Sequence, residues 1–436
     1  MRLSKPAILF CAFITLLNDR LGETVLLPLL PKLKTTFGIS AQTLGLLGGS
    51  YALSQFALAP LIGALSDRYG RKPVITYCVI GSVIGLSLFA ITIGYWDANL
   101  SLLKGGTPFI LAALFTARII DGASGGTAAS ATAILADIST PDNRAKTFGL
   151  IGAAFGLGFI IGPLLGGLLT NIAFTLPGIL ATLFAIFNLI VIFFFLPETY
   201  IPNRNLKLKK RALNPLTQLI SVFKNPLVNR LAFAFFLFFM AFNGLTSFLL
   251  LYLEEIFQWV GNEPILSIKI FSVHLTIAKG LLPSINLAWV GVVAIVVQGF
   301  LIGRLVKQYG ETKLTMAGIG FVIAGSLLLI IGNPSNAIPI IFTGCTLLAL
   351  GTGLVIPSLR AIISKKLTSS GQGAILGNLQ GLQSLGSFLG YAFAGMAYKN
   401  NPSNPFIPGM IVLIFVAYLV YGGLNPKPSG IKKVYN

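Results

Sequence analysis

Long unbroken apolar runs recur along the whole chain, most of them roughly 18 residues or more, and each can cross ~30 Å of hydrocarbon. No other feature of the sequence constrains the fold as strongly. Inside a bilayer no water satisfies backbone N–H and C=O groups, so runs of this length must be helices. Candidate spans fall at 6–30, 42–62, 73–95, 108–135, 146–170, 176–196, 228–252, 284–306, 313–332, 337–358, 372–396 and 406–424. The expected fold class is an all-α polytopic membrane protein, with twelve transmembrane helices in two six-helix bundles. Composition agrees: of 436 residues only 10% are charged and 55% are hydrophobic, whereas a soluble domain carries about 25% charged residues.

An even number of spans places both termini on one side of the membrane, and basic residues choose the side. With the termini inside, the outer segments hold only Lys32, Lys34, Lys104, Lys269, Lys279 and Lys399 of the chain's 31 lysines and arginines. The inner segments hold most of the rest, from Arg68, Arg71 and Lys72 to Arg360, Lys365 and Lys366. The expected location is therefore a cell (inner) membrane with cytoplasmic termini. The net charge of +19 is a consequence of this topology and not a sign of nucleic-acid binding. Residues 1–5 lead directly into the first run, which carries Asp19 and Arg20 and shows no cleavage site, so it reads as a retained span and not a signal peptide.

The longest inner loop divides the chain into 1–199, a linker at 200–227 with Pro202, Pro215 and Pro226, and 228–436. The linker is expected to include an amphipathic piece lying on the surface. The outer segment 254–283 is expected to hold a short interfacial helix. Cys11, Cys78 and Cys345 lie far apart in apolar runs, with no metal-ligand spacing, and read as small buried hydrophobes. His274 reads as a solvated loop imidazole.

The two halves repeat one another. Gly63-Ala-Leu-Ser-Asp-Arg-Tyr-Gly-Arg-Lys72 follows the second span, and Gly303-Arg-Leu-Val-Lys-Gln-Tyr-Gly-Glu-Thr-Lys313 follows the eighth. Both contain G-x-L-x-x-x-Y-G, as expected of parallel copies that rock about a midplane site.

On these residues the chain resembles the major facilitator superfamily over essentially its whole length, and within it the twelve-span drug:proton antiporters that include the tetracycline-efflux group. The first loop matches the family signature G-x-L-[SA]-D-R-x-G-R-[KR]. Asp19-Arg-Leu-Gly-Glu23, Arg118-Ile-Ile-Asp-Gly122, Ala136 to Arg144, Phe155 to Pro163 with Gly166-Gly167, and Leu196-Pro-Glu-Thr199 support the match. The resemblance implies that Gly63, Asp67, Arg68, Gly70, Arg71 and Lys72, with Asp137, form a latch closing the inner side. Gly63 and Gly70 would supply tight turns and close helix approach. Ordinary positive-inside charge would explain the Arg and Lys residues, but not Asp67 among them. In the second copy Lys307 replaces the Asp and Glu311 the second Arg, so the latch is expected to be asymmetric.

In the fifth span, Gly152, Gly156, Gly158, Gly162 and Gly166 would let a neighbouring helix approach closely, and Pro163 would kink the helix. Glycine ridges are common packing devices. Gly158, Gly162-Pro163 and Gly166-Gly167 together, however, resemble the superfamily's antiporter motif, which implies export by exchange.

Charges inside a bilayer cost at least ~2.5 kcal/mol each at the helix centre and need partners or a wet cavity. Asp19 and Glu23 share a face of the first span, and Arg118 and Asp121 can pair within the fourth. With Arg20, three acids meet two bases. The spare carboxylate suits proton coupling, with Asp19 as carrier, Glu23 second and Arg118 tuning it; a static network is the plainer alternative. In the second half the polar residues within spans include Asn243, Gln298, Asn378, Gln380 and Gln383, which are candidate substrate contacts as well as ordinary interhelical hydrogen bonders.

No GxxxxGK[ST] or HExxH occurs, so an enzyme is not expected and the energy source is a proton gradient with no cofactor. The expected function is proton-coupled export of a small, partly hydrophobic compound by a monomer whose partners are substrate, protons and lipid. The alternatives are a metabolite importer or uniporter on the same fold, and a receptor or assembly factor that has lost transport.

Overall fold

The structure, a computed structural model, describes residues 5–99, 108–139, 144–200, 214–224, 226, 228–259, 261, 263–270, 273–332, 337–366, 372–398 and 405–424. Helices occupy every predicted span. The first is Lys5–Thr24, followed by a turn and a short helix Leu29–Thr35; the second is Ala41–Tyr69 and the third Arg71–Ala98. The fourth is broken at Ser124-Gly125 into Pro108–Ala123 and Gly126–Asp137; the fifth is Arg144–Thr170 and the sixth Leu176–Phe195. After a linker helix Pro215–Lys224, the seventh is Asn229–Ser247, extended by Leu249–Ile256. The eighth is Leu282–Ile295 and passes through a π-helical stretch Val296–Leu301 into Ile302–Ile331, which also contains the ninth beyond a left-handed break at Gly310 (φ 76°). The tenth is Ala337–Lys366, the eleventh Gln372–Tyr398 and the twelfth Phe406–Leu424. Eight described helical stretches are long and apolar enough to cross a membrane, and one of them, Lys279–Ile331, holds two spans. The first span falls outside that set because Asp19, Arg20 and Glu23 dilute it.

Glycines set the seams between helices, and they do so in the same way in both halves. On the fifth span, a Cβ at Gly158 would lie 2.6 Å from Arg20 Cβ, and Cβ atoms at Gly162 and Gly166 would overlap Thr24 and Val25, all on the first span. Other glycines of the fifth span face the eighth, in the opposite half: Gly156 sits against Ile295 and Gly167 against Ser284. The eleventh span repeats the pattern. Gly386 and Gly390 sit on the backbone of Phe236 and Met240 in the seventh, while Gly395 meets Ala41 of the second span across the halves. Each half's fifth helix thus grips its own first helix and the other half's second. With almost no hydrophobic drive between helices in lipid, such backbone-to-backbone packing is what holds them.

Both seams are tight at the face carrying the short helix Leu29–Thr35 and part toward the face carrying the signature motif. Between the second and eleventh spans, a Cβ at Gly45 would overlap the Tyr391 carbonyl; at Gly49 the nearest atom is Phe388 at 3.0 Å, at Gly381 it is Phe56 at 3.7 Å, and at Gly63 nothing lies within 4 Å. Between the fifth and eighth spans, Gly152 is 3.3 Å from Gln298, while Gly299 and Gly303 face open space.

Two expectations need correction, and a third, the amphipathic piece of the linker, is met by a helix. The signature segment is not a loop from Gly63: the second span continues to Tyr69, Gly63 is an interior helical residue, and the whole turn is made at Gly70 (φ 102°, ψ 161°), a region open essentially to glycine alone. Among its described residues the outer segment forms no interfacial helix between its ends; Pro264–Ile270 and Val273–Ala278 pair as an antiparallel hairpin, with Lys269 opposite His274. The linker helix Pro215–Lys224 buries Leu219 and Val222, exposes Leu216 and Ile220, and touches the second, seventh and eleventh spans, so it bridges the halves; linker residues 201–213 lie outside the described residues.

Candidate functional site

The turn at Gly70 is built around two acids. Glu198 caps the third span: its carboxylate accepts from the backbone N–H groups of Arg71 (2.7 Å) and Lys72 (3.2 Å), and also from those of Thr199 (3.1 Å) and Tyr200 (3.2 Å). A carboxylate here answers both the unpaired N–H groups and the positive end of the helix dipole. The turn being tight, a Cβ on Gly70 would collide with the Glu198 carboxylate. Arg71 is the hub. Its guanidinium donates to Asp67 (2.7 Å), Ser66 (2.9 Å) and Asp137 (3.1 Å) and lies 4.7 Å above the Tyr200 ring.

Of the three bases placed in the latch with Asp137, then, only Arg71 pairs with it. Lys72 donates to the Phe193 carbonyl at 3.0 Å, and Arg68 stacks on its neighbour Tyr69 at 5.3 Å. Among the described residues every partner in this cluster belongs to the first half or, for Tyr200, to the first residue of the linker, and none to the second half. Glu198, which the sequence offered only as part of a family stretch, is the residue that reasoning missed.

The second copy keeps the geometry and reverses the charge. Gly310 repeats the positive φ of Gly70, and the next residue, Glu311, pairs with Lys365 at the end of the tenth span, as Arg71 pairs with Asp137 at the end of the fourth. The asymmetry lies in burial: the Arg71 side chain is 10% exposed and that of Lys365 is 68% exposed.

A second charged group sits inside the first half. Arg20 donates to Asp19 at 2.7 Å and to Glu23 at 2.8 Å, with Phe155 beneath it at 4.9 Å. Asp19, 3% exposed, also accepts from Thr127 of the fourth span at 3.2 Å. Glu23, 26% exposed, is met across the seam by the Tyr391 hydroxyl of the eleventh span at 3.4 Å. Arg118 donates to Asp121 at 3.0 Å and lies 4.6 Å from the Tyr51 ring. Asp19's direct basic partner is therefore Arg20 and not Arg118. The spare acid is not isolated, because one guanidinium serves two carboxylates. The glycine ridge makes this possible: Gly158 and Gly162 bring the fifth span against Arg20 and Thr24, and the Thr24 hydroxyl donates to the Gly158 carbonyl at 2.9 Å.

In the second half, Asn243 donates to Ser387 at 3.0 Å, and Ser387 donates to the Gln383 carbonyl at 2.9 Å. The Gln383 side chain accepts from Arg360. Next to it, Ser384 donates to Gln55 of the first half at 2.8 Å. Gln298 lies in the π-helical stretch at the seam with Gly152. Gln380 is half-buried on the eleventh span, and the Asn378 side chain lies outside the described residues. Arg360 was read as an inner-loop charge. The structure puts it within the tenth span, and the apolar Ala361-Ile-Ile363 that follows it was the available signal. A cavity of about 290 Å³ lies at the opposite face, lined by Pro28, Lys32, Gly167, Thr170, Glu254 and Ser284 among others, away from both charged groups.

The profile of the Major Facilitator Superfamily matches residues 8–391. The chain is 30% identical over 407 residues to the class C tetracycline resistance protein of Escherichia coli, covering 92% of each. It is 27% identical over 439 residues to the human major facilitator superfamily domain-containing protein 10, covering 88% of this chain and 86% of that one. Among solved structures it is similar to the human organic anion transporter MFSD10 (TETRAN), with a TM-score of 0.70 and 25% identity over 95% of this chain and 99% of that chain.

Proposed function

The chain belongs to the major facilitator superfamily of membrane transporters, and we propose that within it the protein is a proton-coupled antiporter exporting a small, partly hydrophobic compound. The observation that carries this reading is the Asp19–Arg20–Glu23 group, in which one base serves two acids, the first buried and the second partly exposed, and the second acid touches the other half through Tyr391. With Arg118 and Asp121 included, three acids meet two bases, so one carboxylate can take a proton and leave balanced pairs behind. Protonating Glu23 turns the charged acceptor of the Tyr391 hydroxyl into a neutral one and weakens that contact across the seam. Proton binding thereby acts on the arrangement of the two halves, as alternating access requires.

The signature face is cytoplasmic in this reading, both termini lie there, the membrane is the cell's inner one, and the transporter works as a monomer without a cofactor. Residues 1–199 and 228–436 are the rocking bodies and 200–227 their tether. The parted seams at the signature face and the closed seams opposite correspond to a state open to the cytoplasm. Asp67, Arg71 and Asp137 would set the inner latch when the halves rock the other way. Export follows from the antiporter-like Gly158–Gly167 segment and from the kinship with efflux proteins.

The test is a compound-sensitivity screen of a strain lacking the gene, then transport into everted vesicles. Accumulation should collapse with a protonophore, and adding substrate should release protons from acidified vesicles. Transport that persists without a proton gradient would point to passive uniport and overturn the reading.

A further inference from the structure

Arg360 is a half-buried cation without a counter-charge. It lies six residues, about 9 Å, inside the end of the tenth span. Its guanidinium donates to the Gln383 amide oxygen and lies 5.7 Å from the Phe235 ring, while its Nε is buried with no hydrogen-bond partner. Among the described residues no carboxylate comes within ion-pairing distance of it. Nor has its own half one to spare. The acids of the second half are Glu254, Glu255, Glu263 and Glu311; the first two end the seventh-span extension at the opposite face, Glu263 adjoins the hairpin there, and Glu311 is held by Lys365. A half-buried guanidinium inside a span with one neutral hydrogen-bond partner is costly, and apolar packing alone would be better served by Leu or Met.

The position of Arg360 indicates its use. Gln383 precedes Ser384, which bonds Gln55 across the halves, and Gly381 faces Phe56 at the level where the seam begins to open. Arg20 of the first half faces it as a like charge within electrostatic reach, but Arg20 is taken up by two acids. The inter-half space therefore has one spare acid on the first half and one spare base on the second.

We propose that Arg360, with Gln383 beside it, binds an anionic oxygen group of the transported compound, and that this compound is a zwitterion on an apolar body whose positive end faces Asp19 and Glu23. The second part rests on the proton-exchange reading above. An anion alone at Arg360 would add negative charge facing the spare carboxylate and favour its protonation, so proton and anion would bind together. A positive end displaces the proton instead, and only that sign gives exchange.

The experiment measures binding to the purified full chain by thermal stabilisation. The probes are 3-(2-naphthyl)alanine, its N-acetyl derivative (an anion) and its carboxamide (a cation), with the same triplet built on other aromatic amino acids. The two carboxylates should stabilise the protein and the carboxamide should do so at least about tenfold less well. Arg360→Gln should abolish the difference and Arg360→Lys restore part of it. Gln383→Glu tethers a carboxylate to Arg360, so it should remove the response to carboxylates while keeping the fold. If no carboxylate in the panel outperforms its amide, or if the preference survives Arg360→Gln, the anion site is wrong. Proton movement separates the two claims. Arg360-dependent binding without proton release by the zwitterion sinks exchange and leaves the anion site standing. Protonophore-sensitive export at the wild-type rate in Arg360→Gln sinks the anion site and leaves exchange standing.

Discussion

Lys34, on the short helix after the first span, pairs with Glu255 at the end of the seventh-span extension, and among the described residues this is the only salt bridge joining the two halves. Tyr398 completes the group: its hydroxyl donates to Glu255 at 3.0 Å, and the Lys34 ammonium lies 4.9 Å from its ring. Both charged side chains are partly exposed, so the pair is worth about 0–1 kcal/mol. It exists only while this face is closed, however, and a bias of about 1 kcal/mol changes a two-state ratio about fivefold. Lys34→Ala should therefore open this face more often. Thr170→Cys, on the wall of the cavity there, would report it through thiol labelling from that side, since Cys11, Cys78 and Cys345 are buried. Labelling should accelerate about two- to fivefold; an unchanged rate would mean that apolar packing alone holds the seam.

The reversed pair Glu311–Lys365 predicts a difference in tolerance between the halves. Arg71 holds Asp67, Ser66 and Asp137 together and is largely buried, so Asp137→Ala leaves a desolvated cation short of a partner and should cost up to about 3 kcal/mol. Lys365 is mostly exposed, so Lys365→Ala should cost less than about 1 kcal/mol. Melting temperatures in detergent would measure both. The double variant Glu311→Lys with Lys365→Glu should recover what either charge reversal loses. Equal losses for Asp137→Ala and Lys365→Ala would show that burial does not govern these pairs.

The twelve spans were legible because lipid leaves an apolar run no alternative to helix. Helix ends were not. Asp67 and Arg68 read as loop because they are charged, yet a helix in lipid needs only its own backbone bonds, and long side chains at its end reach water by themselves. The same error hid Arg360, whose charge placed it beyond the tenth span although that helix continues to Lys366. The hairpin at 264–278 escaped notice because the segment was judged by its mixed polarity and not by strand pairing. Contacts such as Glu198 with the Arg71 N–H, or Tyr391 with Glu23, span 127 and 368 residues and depend on how helices meet, which periodicity does not encode.

The glycine seams give a sharp contrast between positions. A Cβ at Gly162 would overlap the Thr24 hydroxyl and lie 2.8 Å from its Cβ, whereas one at Gly320 meets nothing within 4 Å. Gly162→Ala must push the fifth span away from the first, where Thr24 bonds Gly158 and Arg20 holds two acids. Gly320→Ala adds only a methyl to an exposed helix face, and alanine is the better helix former by about 1 kcal/mol. Transport should fall at least tenfold in the first variant, for a shift of about 1.4 kcal/mol or more in the barrier, and stay within about twofold of wild type in the second. Equal activity in the two would remove the ridge from the mechanism.

Asp19 and Glu23 share Arg20 but differ in surroundings, and that difference orders their roles. Asp19 is almost wholly buried and tied to the fourth span through Thr127; Glu23 is more open and tied to the eleventh through Tyr391. A proton can reach Glu23 more readily, while Asp19 is better placed to keep one away from water. Asp19→Asn removes one acid and leaves Arg20 with Glu23 alone, so the proton-binding surplus disappears. Substrate-driven proton release in vesicles should then be lost, while binding persists. Glu23→Gln removes the same surplus together with the charged acceptor of Tyr391, so it too should lose substrate-driven proton release. Tyr391→Phe keeps all three acids and removes only the contact across the seam, so it should slow exchange about tenfold without abolishing it, a charge-assisted hydrogen bond being worth about 1.5–3 kcal/mol. If both acid variants still move protons with substrate at the wild-type ratio, the first-span carboxylates are structural and the coupling group lies elsewhere.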